Sequence, residues 1–218
     1  MRPVRLVSVG PARVTLAGVS EVPRPHRPSY REPSALEAIG ERSDPIAALH
    51  AAHETAAVLV KVGRASADPA ATDRLVAITD EVGLDTLAEL WSARPARSLP
   101  GALWRLYLLR EWVANDATGV AREYAAGVRF AEVNHVVAGA EPPGPDEVRR
   151  VAEEILRGVF AGDLAVALER AAAFCLVVAA GRADVTAGTR AVAQALRLQD
   201  MAADLTACAK LWRDGRLE

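Results

Sequence analysis

With 218 residues, 51% of them apolar and 25% charged, the chain has material for one large hydrophobic core or two small ones. A net charge of −2 argues against a body-wide nucleic-acid binder. The longest uncharged run, Ala171 to Gly181, is too short to cross a bilayer.

The charge is unevenly spread. Residues 1–33 carry Arg2, Arg5, Arg13, Arg24, Arg27 and Arg31 against Glu21 and Glu32, a net of +4, which leaves −6 for the rest. A basic leader on a mildly acidic body suits an arm that folds back or one that meets an acidic partner. Lysine occurs only at Lys61 and Lys210, so 24 of the 26 basic residues are arginine, a bias that fits a GC-rich coding sequence, with a bacterial source expected.

In chain order, "VRLVSVG" and "ARVTLAGV" alternate at period two around Gly10-Pro11, which predicts a short β-hairpin. "EVPRPHRPSYREP", Glu21 to Pro33, follows as an extended proline-rich arm. The start signals after it are helical. Ser34 and Glu37 have the spacing of a capping box, and Asp44-Pro45 and Asp68-Pro69 place an N-cap acid before a proline. Ser98 with Pro100 repeats the device, and Pro145 opens an acidic first turn. Gly63, Gly83, Gly139, Gly181 and Gly215 each follow a periodic run and read as stops. The pattern predicts helices over roughly 35–41, 45–63, 69–82, 85–93, 99–115, 118–138, 146–160, 163–180 and 187–213. The expected fold is an all-α bundle of about eight or nine helices over 34–218, behind an N-terminal segment 1–33 of hairpin and arm.

Two helices are expected at the centre. In 163–180, Leu164, Leu168, Ala171, Cys175 and Val178 form one face, and no charge follows Arg170 for ten residues. In 99–115, "ALWRLYLLREWVAND", large apolar residues surround the helix while Arg105, Arg110 and Glu111 point three ways. None of these charges has an opposite charge three or four residues away. Their partners must come from other helices, with Glu123, Glu132, Glu153, Glu169 and Arg170 as candidates, or they line a polar pocket. Such a pocket, walled by Trp104, Tyr107 and Trp112, would hold an anionic small molecule beside Arg110 and Glu111.

His50 and His53 share one side of the helix 45–63 and are weak candidates for a metal, with Glu37, Glu41 or His135 as a third ligand. The HExxH pattern of zinc proteases is absent. His53 falls within an apolar stripe of Ile46, Leu49, Ala56, Ala57 and Val60, where a structural histidine is the simpler account. Cys175 and Cys208 lie in apolar runs and read as small buried hydrophobes of a reducing cytoplasm. The chain has no phosphate-binding glycine loop, no GxSxG, no CxxC and no dinucleotide fingerprint.

The expectation is therefore a non-enzymatic cytoplasmic interaction or scaffold protein. It would need no cofactor or metal, and it would dock a protein partner or itself, in part through the arm Glu21 to Pro33. A helical small-ligand binder or enzyme, using the pocket near Trp104, Arg110 and Glu111, is the alternative. Membrane and nucleic-acid roles are not expected.

Overall fold

A computed structural model of the chain describes residues 44–66, 68–129, 143–185 and 188–218. The chain divides between Arg42 and Ser43 into two units, and every described residue belongs to the second. The expected hairpin, the arm, the helix at 35–41 and His135 lie outside the described residues. Among the described residues all regular structure is helical. The nine helices are α1 (Pro45–Ala65), α2 (Pro69–Val76), α3 (Ile78–Val82), α4 (Leu84–Trp91), α5 (Leu99–Asn115), α6 (Ala117–Val128), α7 (Pro145–Ala161), α8 (Leu164–Val185) and α9 (Thr189–Arg213).

Short polar side chains start these helices by satisfying backbone donors that the first turn leaves free. Asp44 accepts from the Ile46 amide at 3.0 Å, and Asp68 accepts from Ala70 at 2.9 Å, each ahead of a proline. Ser98 Oγ accepts from Gly101 at 3.2 Å and donates to the Pro95 carbonyl at 2.8 Å, which folds the preceding loop onto α5. Asp116 caps α6 through Gly119 at 3.1 Å.

α8 is the central post. It packs against α6, α7 and α9, and α7 in turn carries α1, α2 and α5. Leu164, Leu168, Ala171, Cys175 and Val178 are all fully buried, as the apolar run requires. Each fully buried leucine contributes roughly 1.5–3 kcal/mol, so this stripe draws α8 into the core. α8 is also the one helix among the described residues long and apolar enough to cross a membrane, with mean hydropathy 1.9. Its neighbours bury 61% of that stretch, the pattern of a core helix.

The structure revises several expected boundaries. The span 69–82 is two helices, broken at Ala77. Gly63 and Gly181 end nothing: each lies inside its helix at a close approach. A Cβ on Gly63 would press on the Phe160 ring of α7. A Cβ on Gly181 would overlap the Glu123 carbonyl oxygen of α6, and one on Gly127 would overlap the Val177 carbonyl oxygen of α8. Thus α6 and α8 cross backbone to backbone, with glycine on each side. Gly83 and Gly215 are true stops, both at positive φ (81° and 66°), where other residues are strained.

The inner face of α1 also differs from the expected stripe. It is Ala52, Ala56, Val60 and Gly63 that are buried, while Ile46, Leu49 and Ala57 face outward. The core selects the small side chains because α1 rides close on α7 at Gly63.

Candidate functional site

The charges of α5 find partners in a place the sequence did not single out. Arg110 reaches α3, where Nη2 donates to Asp80 Oδ2 at 2.9 Å and Nη1 donates to Thr79 Oγ1 at 2.8 Å. Nη1 also donates to the adjacent Glu111 at 2.6 Å, and the Thr79 hydroxyl donates to the same Glu111 oxygen at 2.6 Å. The four residues cross-link α3 to α5 at an edge of the body. The guanidinium hydrogen bond holds the Asp80 carboxyl below its ordinary range, and the same bond raises the Arg110 pKa. Arg110 Nε is buried without an acceptor among the described residues. Arg105 turns the other way, donating to the Gly101 carbonyl at 2.9 Å and approaching Asp204 of α9 at 3.9 Å. Of the candidate partners from the sequence, Glu132 lies outside the described residues and none of the others takes these contacts. Glu123 is engaged elsewhere, and Asp80 lies 30 residues before Arg110 in a helix of five residues.

Glu111→Ala is expected to cost about 1–2 kcal/mol, the value of hydrogen bonds to charged groups at a partly wet site. Asp80→Asn should lower the urea midpoint at pH 7. Its carboxyl is depressed in the folded state, so its contribution is complete above the unfolded pKa of about 4 and is lost as pH falls through the native value. Urea titrations at pH 7 and pH 3 check the sign, since the difference between Asp80→Asn and wild type must shrink at the lower pH.

Of the five residues proposed to line one pocket, Arg110 and Glu111 meet at α3, while the other three have different surroundings. Tyr107 is fully buried, stacked on Trp91 at 6.2 Å between ring centroids, and its hydroxyl donates to the Leu75 carbonyl at 2.6 Å. Burial pushes its pKa up despite nearby Arg110. Trp104 is half-buried against the core. Trp112 faces a different cleft from Arg110 and Glu111, among α5, α8 and α9.

Trp112 meets a different arginine. Arg182 of α8 lies with its guanidinium 5.0 Å over the Trp112 ring. It is clamped by Glu123 of α6, with Nε to Oε1 at 3.0 Å and Nη2 to Oε2 at 2.7 Å. Both side chains are nearly buried, at 12% and 9% exposure, so the pair sits in the joint beside the Gly127–Gly181 crossing. The sequence reading ended this helix at 180 and so left Arg182 outside it.

His50 is exposed, and half-buried His53 borders a cleft of about 600 Å³ among α1, the start of α5 and the end of α9. Val60, Leu99, Leu217 and Trp212 form its apolar wall, with Glu54, Lys61 and Arg64 at its rim. Arg64 lies 5.5 Å over the Trp212 ring. Among the described residues no three histidine, cysteine or acidic side chains converge as metal ligands. Cys175 and Cys208 are buried thiols whose pKa values burial raises to about 12 and about 11.

A further cleft, about 430 Å³, lies on the other flank of α1 against α3 and α4. Val58, Leu59, Ile78, Val82, Leu87 and Leu90 line it. Val58 and Val82 are about half exposed, and so is Val62, one turn beyond Val58 on α1. No protein-family model, curated protein or solved structure matches the chain.

Proposed function

We propose that the helical body is a non-enzymatic docking module of the cytoplasm, and that it takes an apolar, basic helical segment of a partner protein in the groove between α1, α3 and α4. The apolar surface left exposed there carries the proposal. Val58 and Val82, which line the groove, and Val62, one turn beyond Val58, are 44–55% exposed, and Leu59, Ile78, Leu87 and Leu90 complete a mostly aliphatic lining. Contiguous apolar surface of that kind marks partner sites in soluble proteins. The acidic charge of α3 and α4, with Glu54 the one charged residue lining the groove, supplies the sign of the partner. Residues 75–93 contain no lysine or arginine, and Glu81, Asp85 and Glu89 stand exposed on α3 and α4, facing no ion-pair partner among the described residues. Glu54 closes the groove on the α1 side. An amphipathic helix laid in such a groove would seat its apolar face on the walls and turn its lysines or arginines towards Glu54 and the acidic field of α3 and α4.

A pocket built from Trp104, Arg110 and Glu111 has less support, because Arg110 and Glu111 are occupied by Thr79 and Asp80.

Titration calorimetry with a synthetic leucine–lysine amphipathic helix tests the reading, with the leucine–glutamate counterpart as control. Wild type should bind the lysine peptide, and Val58→Gln/Val82→Gln should weaken it at least tenfold with little change in melting temperature, since both positions are exposed. Equal binding of the two peptides, or indifference to the double substitution, would sink the proposal. So would a concentration-dependent dimer in sedimentation that the double variant abolishes, because the occupant is then a second copy.

A further inference from the structure

Arg182 and Trp112 take part in a second feature, which does not depend on the groove beside α1. Between α5, α8 and α9 lies a cleft of about 400 Å³, within the range of small-molecule sites. Its floor is apolar: Leu108, Trp112, Leu198 and Met201. Its polar groups are Arg182, Gln194 and Arg197, with no carboxylate in the walls. The two clefts beside α1 both include Glu54.

The bonding of Arg182 matters most. Glu123 takes Nε and Nη2, leaving Nη1 without an acceptor among the described residues. The guanidinium is held on one edge by the carboxylate and on one face by the Trp112 ring. A donor fixed in this way loses little freedom when it takes an acceptor. Glu123 also cancels its charge, so the net positive charge of the cleft comes from Arg197, which is exposed and makes no ion pair among the described residues. Gln194, half-buried on α9, adds an amide donor.

We infer that this cleft binds a small organic carboxylate. The head would lie between Arg182 Nη1, Arg197 and Gln194, and an acyl or aryl body would lie on Trp112 and Met201. A single negative charge matches the single uncompensated guanidinium, and a phosphate dianion would leave one charge unmatched. Carboxylates suit this donor set because guanidinium groups present paired N–H donors to planar oxygens.

Octanoate is the probe, titrated calorimetrically into the full chain beside octylamine and octyl phosphate. Octanoate should saturate at one per chain and bind at least tenfold more tightly than either comparator. Arg197→Gln should weaken it about tenfold, the usual worth of a charge-assisted hydrogen bond. Gln194→Trp should fill the mouth and abolish binding. Lys61→Gln, in the cleft beside α1, should change nothing. Arg197 and Lys61 are exposed, so those variants keep the test valid even if Gln194→Trp fails to fold. The inference is overturned if octanoate does not saturate, if octylamine or octyl phosphate binds as well, or if Arg197→Gln binds like wild type. Loss of binding in Lys61→Gln would also overturn it, by moving the site to the other cleft.

Discussion

Gly181→Ala is expected to destabilise the protein by about 3 kcal/mol or more, the upper end of what an over-packed core costs. The added methyl would overlap the Glu123 carbonyl oxygen and crowd the Gly127 amide nitrogen, and neither is a side chain able to turn away. Relief requires α6 and α8 to separate along their whole contact, which includes the Tyr124–Phe174 stack at 5.4 Å. Helix propensity acts the other way, favouring alanine by about 1 kcal/mol, and the clash outweighs it. Gly158→Ala is the matched control. Its Cβ would meet only the Ala167 methyl, at 3.3 Å, and the change should stay within about 1 kcal/mol. Urea denaturation of both variants decides the matter. If Gly181→Ala is as stable as Gly158→Ala, the two helices do not approach as closely as described.

Glu123→Ala should cost about 3–5 kcal/mol, because it strands a buried guanidinium. Arg182 is 12% exposed, and Glu123 accepts its three short hydrogen bonds. The pair as a whole is worth far less than that loss, since both charges have left water. Glu123→Leu/Arg182→Leu should therefore recover most of the stability. A double-mutant cycle measured by thermal melts gives the answer. Additive single effects would mean that the pair is not coupled.

Much of the helical framework was legible because it depends on local chemistry. Asp44, Asp68 and Ser98 announce their helices by the same side-chain oxygens that cap them. The buried stripe of α8 follows from five apolar residues at helical spacing. Gly63 and Gly181 misled because glycine signals two opposite things. At Gly83 it permits a left-handed turn that ends a helix, and at Gly181 it clears space for another backbone. Only tertiary structure tells the two apart. Ending α8 early had a second effect, for it removed Arg182 from the helix and hid the neighbour of Trp112. The break at Ala77 has no glycine or proline to mark it, so Asp80 was not placed where Arg110 could reach it. Arg110 and Glu111 were recognised as needing partners, but those partners depend on how a short helix docks, which no spacing rule encodes.

A helix as evenly apolar as α8 raises a problem of uniqueness. Turned about its axis or slid by a turn, it would still bury much the same greasy surface, so many arrangements of the bundle would be close in energy. The glycine crossing removes that degeneracy. Only one rotation and one register place Gly127 against Val177 and Gly181 against Glu123, and the neighbouring positions would drive side chains into backbone. The Glu123–Arg182 pair adds a penalty to any slip, since a shifted helix leaves both charges unmatched within the interior. Together they behave as a key in a lock: they add little attraction of their own, and they separate the native arrangement from its near-copies.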